Sequence, residues 1–241
     1  MKTVIITGAS RGIGKAIALA FAKHQWNIVI IASKSEHELF ITKQEIESLG
    51  SRCLSFLGNV GNPDFAPFVI EQTIQHFSQI DCLINNAGIS MVGLMTDVTP
   101  MDWDRILSTN LSSVFYFSRV TVPHMVHRKQ GHIINISSVW GEVGASCEVA
   151  YSASKGGVNA LTKALAKELA PSNISVNAIS CGAIKTSMNE WLTEEEEQVL
   201  IDEIPAGRLG TATEVADLVY TTATSSSYFT GQIIRIDGGW I

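Results

Sequence analysis

No two cysteines in this chain are spaced as a C-x-x-C pair; Cys53, Cys82, Cys147 and Cys181 stand singly. That excludes a zinc knuckle and offers no disulfide framework, and a reducing cytoplasm fits it. Charge is also scarce, at 17% of residues with a net charge of -6, so nucleic acid is not a general partner. No apolar run approaches the ~20 residues of a membrane span. The opening "TVIIT" is too short for a secretory signal, and the chain reads as mature from Met1. The six histidines, at 24, 37, 76, 124, 127 and 132, lack metal-ligand spacing, so no metal is expected. Linkers, repeats and low-complexity tracts are missing too.

What is present is alternation. Short β-branched runs at 3–7, 27–32, 53–58, 82–86, 132–137, 174–180 and 232–237 are separated by helix-period segments at 13–24, 36–49, 63–77, 102–128, 149–170 and 213–224. Strands apolar on both faces, alternating with helices, predict a seven-stranded parallel sheet covered on each side. The expected architecture is one doubly wound α/β domain of the Rossmann type over residues 1–241, with a small substrate-loop insertion at about 183–210. Within that insertion "TEEEEQ" (193–198) reads as the solvated face of a helix.

The first strand runs into "TGASRGIG", which puts Gly8, Gly12 and Gly14 ahead of an apolar helix. Glycines there let backbone N–H groups and the helix N-terminus approach a pyrophosphate. At the end of the second strand, where sites for NAD carry an acid, the residues are Ser33 and Lys34, and no acid appears before Glu36. With Arg11 in the loop, two cations can face a 2'-phosphate, which favours NADPH.

Tyr151 and Lys155 lie four apart on a predicted helix, so a phenol and an ammonium share one face. A free Tyr has a pKa near ~10, and a neighbouring cation would help it give up its proton. Ser138, at the C-terminal end of a predicted strand, can donate to the same carbonyl oxygen. C-terminal strand ends are where open α/β sheets bind their ligands.

Together "TGASRGIG", "NNAG" (85–88), Asn110 in "STNLSSVF", Ser138, "YSASK" and "PAGRLG" (205–210) resemble the short-chain dehydrogenase/reductase family along essentially the whole chain, the 3-oxoacyl-acyl-carrier-protein reductases most of all. The resemblance implies an NADP(H)-dependent oxidoreductase, expected as a homotetramer. It implies Tyr151 as acid/base, Ser138 as the residue polarising the carbonyl, Lys155 as holding the nicotinamide ribose and lowering the Tyr pKa, and Asn110 as supporting a water relay to the Lys. It assigns cofactor contacts to Gly8, Ser10, Arg11, Ile13, Asn59, Val60, Asn86 and Thr186, besides Lys155, and the expected cofactor site also takes in Gly12, Gly14, Ser33, Lys34, Ala87, Gly88, Tyr151, Gly182 and Ile184. One departure is Cys181-Gly182 where the family has Pro-Gly, which restores an N–H and frees φ.

The segment between Ser138 and Tyr151 should wall the substrate cavity, with Trp140, Glu142, Cys147 and Glu148 as candidate substrate contacts. The first substrate reading is a 3-oxoacyl thioester on acyl carrier protein, for which "HRK" (127–129) is the one compact basic patch. The turn after the catalytic helix, "APSN", lacks the second cation that such reductases often carry. Two carboxylates in the wall suit a ketone bearing an ammonium instead. The same segment is also similar to reductases of the 5-aminopentanone group on elongation factor P. A catalytically idle NADP(H)-binding protein is the remote alternative.

Overall fold

A computed structural model describes residues 1–189 and 192–241. In chain order the elements are β1 (Thr3–Thr7), α1 (Gly12–Lys23), β2 (Asn27–Ala32), α2 (Glu36–Ser48), β3 (Cys53–Leu57), α3 (Phe65–Phe77), β4 (Cys82–Asn85), α4 (Pro100–Leu107), α5 (Ser113–Arg128), β5 (Gly131–Ser138), α6 (Trp140–Val143), α7 (Val149–Leu169), β6 (Ile174–Cys181), β7 (Ile184–Lys185), α8 (Glu194–Glu203), β8 (Gly210–Thr211), α9 (Ala212–Ala223) and β9 (Ile233–Ile236). Seven strands form one sheet in the order β3-β2-β1-β4-β5-β6-β9. Every pairing in it is parallel.

The period of two along each strand explains why both faces are covered. In β1, Val4 and Ile6 pack with Ile17 and Phe21 of α1 and Val219 of α9, whereas Ile5 joins Val69 of α3, Phe117 of α5 and Leu169 of α7. The strand order reverses between β1 and β4, which opens a crevice at their carboxyl ends.

Two local features differ from the sequence expectation. The single helix foreseen over 102–128 is two helices joined by a π-helical stretch, Ser108–Ser112, centred on Asn110. Such a bulge adds a residue to the turn and re-aims side chains, and hydrophobic period does not reveal it. Two short strands, β7 and β8, pair with each other and close the base of the 183–210 insertion. Inside that insertion "TEEEEQ" opens α8 with a capping box, Thr193 and Glu196 satisfying each other's backbone N–H. Its four first-turn glutamates lie where the helix dipole favours them.

At the N-terminal edge of the sheet, buried Asp81 clamps three segments. It accepts from the Thr3 backbone N–H at 2.7 Å, from Gln79 at 2.9 Å and from Arg128 at 3.1 Å. Arg128 also donates to the Ile80 carbonyl at 3.1 Å. The middle residue of "HRK" is thus used internally, at the opposite end of β5 from Ser138, roughly 23 Å along the strand. Replacing Asp81 with Ala strips the Thr3 amide and the guanidinium of their acceptor. Urea unfolding should show a loss of ~2 to 3 kcal/mol, with the m-value unchanged.

Candidate active site

The turn from β1 to α1 and the end of β4 meet with no room for a side chain. A Cβ on Gly14 would stand 2.2 Å from the Gly8 carbonyl oxygen and 2.5 Å from Asn86 Nδ2, and one on Gly8, at φ +68°, would stand 2.8 Å from Ala87 Cα. Asn86 secures the contact by donating to the carbonyls of Thr7 and Gly8, both at 2.9 Å. The Thr7 hydroxyl accepts from the N–H groups of Asn86 and Ala87, both at 3.0 Å. Asn86 and Ala87 therefore brace the glycine loop from behind.

In front of the loop, α1 begins with no side-chain cap and no acid in its first turn, leaving N–H groups and the positive dipole end for an anion. Gly12, at φ +56°, faces the Thr186 side chain, whose methyl carbon would lie 3.6 Å from an added Cβ. The loops carrying Arg11-Gly12 and Ile184-Thr186 thus face each other. Ile13 packs against the core beneath. Asn59 accepts from the Gly61 N–H, and Val60 is buried. Ser33 and Lys34 are exposed at the end of β2. Gly182 must be glycine, because its Cβ would stand 2.7 Å from that of Asp237.

The four candidate catalytic residues come from three elements and converge at the crevice. Ser138 ends β5, Tyr151 and Lys155 lie on α7, and Asn110 reaches in from the π-helical turn. All four are buried. The Ser138 hydroxyl is near enough to the Tyr151 phenol to favour its ionised form. Lys155 Nζ donates to the Ile136 carbonyl at 2.8 Å and stands 5.6 Å from the Tyr151 ring centroid. Asn110 grips the strand after Gly88, accepting from the Ile89 N–H at 2.9 Å and donating to the Ile89 carbonyl at 2.9 Å and to Ser154 at 3.1 Å. Gly88 leaves a gap there: an added Cβ would stand 3.5 Å from Lys155 Nζ and 3.6 Å from Asn110 Oδ1. A cradle lined by an ammonium, an amide and a bare backbone fits a ribose beside the anion-binding turn. These residues suit a nicotinamide dinucleotide.

The electrostatics correct one expectation. Lys155 was to lower the Tyr151 pKa, yet burial pushes the phenol up; the Ser138 hydroxyl draws it partly back, and Cys181 and Glu148 raise it further. The ammonium is satisfied elsewhere, on Ile136, and the phenol stays firmly protonated near neutrality. Burial also drives Lys155 down from the ordinary 10.5 to about 8. Cys181, buried beside it, is pushed up to about 12 by the same desolvation, so it is a packed thiol with no thiolate at neutral pH.

The wall between Ser138 and Tyr151 also departs from its reading. Glu142 does not offer a free carboxylate: it pairs with Arg235 of β9 at 2.8 Å and accepts from Ser180. The Arg235 hydrogen bond, against a small burial cost and with Ser180 helping, holds its carboxyl below the usual range. Glu148 caps the start of α7 without a side-chain cap bond and accepts from Ser90 instead. Cys147 sits at φ 61° and its carbonyl accepts from the Gly93 N–H at 2.8 Å, so its role is to turn the chain. Trp140 donates its backbone N–H to Ser138 Oγ at 3.2 Å and packs edge-on against Trp240, ring centroids 4.8 Å apart. Sequence reasoning missed Arg235, Ser90, Ser154 and Trp240. Only Ser154 carried a signal, lying one turn from Tyr151 on the same helix.

The buried amine of Lys155 has a cost that stability measurements should reveal. Its proton is held more weakly in the folded chain than in the unfolded one, so the full penalty is present below pH ~8 and fades as pH rises towards ~10.5. The shift caps the penalty at ~3 kcal/mol, and Lys155→Met also leaves the Ile136 carbonyl without its donor. Denaturant unfolding without cofactor should find the variant ~1 to 2 kcal/mol more stable at pH 7, and the gain should shrink at pH 10.

A family model described as short chain dehydrogenase matches residues 2–197. The chain is 40% identical over 241 residues to the 3-oxoacyl-[acyl-carrier-protein] reductase FabG of Thermotoga maritima, covering 100% of this chain and 98% of that one. It is 36% identical over 239 residues to the protein of the same name from Staphylococcus aureus, covering 99% and 97%. A crystal structure of a short-chain type dehydrogenase/reductase from Mycobacterium marinum superposes with a TM-score of 0.93 at 36% identity, covering 99% of this chain and 95% of that one. With the glycine turn, the switch-point crevice and the buried Ser-Tyr-Lys-Asn group in place, the chain belongs to the short-chain dehydrogenase family and is an oxidoreductase.

Proposed function

We propose that the protein is an NADPH-dependent carbonyl reductase acting on a 3-oxoacyl thioester carried by acyl carrier protein, in the cytoplasm and as a homotetramer. The observation that carries this reading is the buried convergence of Ser138, Tyr151, Lys155 and Asn110 beside the anion-binding turn. The two relatives of matching length and their printed names supply the substrate class. Arg11 and Lys34, with no acid at the end of β2, support the 2'-phosphate. Exposed Met101 and Phe115, on α4 and α5, leave apolar surface that a partner copy would cover.

When bound, the reduced nicotinamide supplies the hydride for the carbonyl carbon. Ser138 orients and polarises the carbonyl oxygen through its hydroxyl. Tyr151 holds a proton at its phenol oxygen and donates it to that oxygen as negative charge develops. Lys155 would hold a ribose in the Gly88 cradle, and the Ser138 hydroxyl is the group that eases the charge left on the phenol. Asn110 fixes the backbone at Ile89, which keeps the cradle open. An apolar cavity of about 280 Å³ lies between the start of α4 and the start of α7, lined by Met95, Val98, Trp103, Val149 and Ala150.

One observation favours a second substrate. Arg128 is consumed by Asp81 at the far edge of the sheet, so a carrier seated on "HRK" would serve the site of another copy of the chain, not this one. Glu148, at the start of the catalytic helix, remains to attract an ammonium, as in an amino-ketone on elongation factor P. Catalytic efficiency with an acetoacetyl thioester against a 5-aminopentanone under NADPH decides between them. Turnover of the thioester at least tenfold better supports the carrier reading, and the reverse order overturns it. With either substrate Tyr151→Phe should keep NADPH affinity and lose at least ~99% of turnover, since it removes the proton donor and leaves the anion-binding turn intact. Retention of more than a tenth of wild-type activity would mean that another group is the acid.

A further inference from the structure

The cation best placed for a 2'-phosphate is already engaged. Arg11 Nη1 donates to both carboxylate oxygens of Glu38, at 3.3 and 3.4 Å, from the first turn of α2. Arg11 and Glu38 keep side-chain exposures of 59% and 41%, so the pair is open to exchange with an incoming anion. The placement is not accidental to the helix. One turn further on, Thr42 donates to the Ser10 carbonyl at 3.0 Å, and then Glu45 pairs with Lys15 at 2.8 Å. Glu38, Thr42 and Glu45 form one stripe at helical spacing that holds α2 against the anion-binding turn. Burial opposes the charge on Glu38, but Ser35, Arg11 and Ser10 outweigh it and keep the carboxyl below its usual range, so it is ionised at neutral pH.

We infer that Glu38 is a specificity-determining residue for the cofactor: it holds Arg11 in the free protein and competes with the 2'-phosphate of NADP(H) for that guanidinium. The inference rests on the proposed dinucleotide site. A phosphate monoester that docks on Arg11 must displace a carboxylate already there and then lie beside it, and like charge at that range opposes binding. NAD(H), whose 2'-hydroxyl carries no charge, meets neither obstacle. Lys34 makes no ion pair among the described residues and is the second cation at this corner. The preference for NADPH is therefore held below what Arg11 and Lys34 would give without Glu38.

The test is fluorescence titration of NADPH and NADH with the full chain, comparing wild type, Glu38→Gln, Glu45→Gln, Arg11→Ala and the Arg11→Ala, Glu38→Gln double variant. An exposed ion pair of this type is worth a modest factor, so Glu38→Gln should tighten NADPH roughly threefold or more while NADH changes by less than about twofold. Glu45→Gln removes the same charge from the same helix and should not widen the ratio of the two dissociation constants. On the Arg11→Ala background, Glu38→Gln should lose most of its effect. Glu38→Ala should act in the same direction as Glu38→Gln, since neither retains the carboxylate. An unchanged ratio in Glu38→Gln, an equal gain in Glu45→Gln, or a gain that survives Arg11→Ala overturns the inference. A wild type that binds NADH more tightly overturns the cofactor assignment instead, and the change of ratio on Glu38→Gln is read independently of it.

Discussion

The absence of side chains where β1 turns into α1 is the constraint on which the site depends. With 2.2 Å between a hypothetical Gly14 Cβ and the Gly8 oxygen, any other residue would push the first helix away from the sheet. The helix N-terminus would then no longer face the crevice. Asn86 and Thr7 turn this close approach into a fixed one, because their four hydrogen bonds tie the end of β4 to the same turn. Gly88 is then delivered to the neighbourhood of Lys155 and Asn110, so one steric condition at the first turn sets the depth of the whole cleft.

Inside the cleft, burial and function pull in opposite directions. A phenol and an amine, each excluded from water, are both driven towards their neutral forms. The fold tolerates this because polar backbone and side chains are at hand. Ile136 takes the ammonium, Ser138 takes the phenol, and the π-helical turn presents Asn110 to Ile89. That arrangement keeps two desolvated ionisable groups side by side at one point, at a cost in stability.

Much of this was legible in the sequence, for reasons that differ by element. The seven strands and their parallel pairing follow from β-branched runs apolar on both faces, and the glycine spacing between strand and helix marks the anion-binding turn. Ser138, Tyr151, Lys155 and Asn110 were named from strand ends, helical spacing and family resemblance, and the structure brings all four together. The wall residues were misjudged because their partners are remote in sequence. Glu142 looked like a free carboxylate since Arg235 lies 93 residues away, and nothing in spacing joins α6 to β9. Arg128 looked free for the same reason, with Asp81 distant along the chain. Glu38 is not marked by the strand-end pattern either, because it lies on the following helix and meets Arg11 from a loop 27 residues away. Local pattern locates elements; ion pairs that cross the sheet order are set by tertiary packing.

The edge-on contact of Trp140 with Trp240 joins two parts of the fold in one chromophore. Trp140 follows Ser138 by two residues, and Trp240 Nε1 donates to Glu203 at the end of α8, at 3.3 Å. Two indoles 4.8 Å apart and inclined at 64° couple their electronic transitions, so the pair should give the folded chain a distinct near-ultraviolet circular dichroism signature. Displacement of the α8 end from the turn beside Ser138 would separate the rings or strip the carboxylate from the indole N–H. The junction between the 183–210 insertion and the turn beside Ser138 therefore carries its own optical reporter, readable without a label.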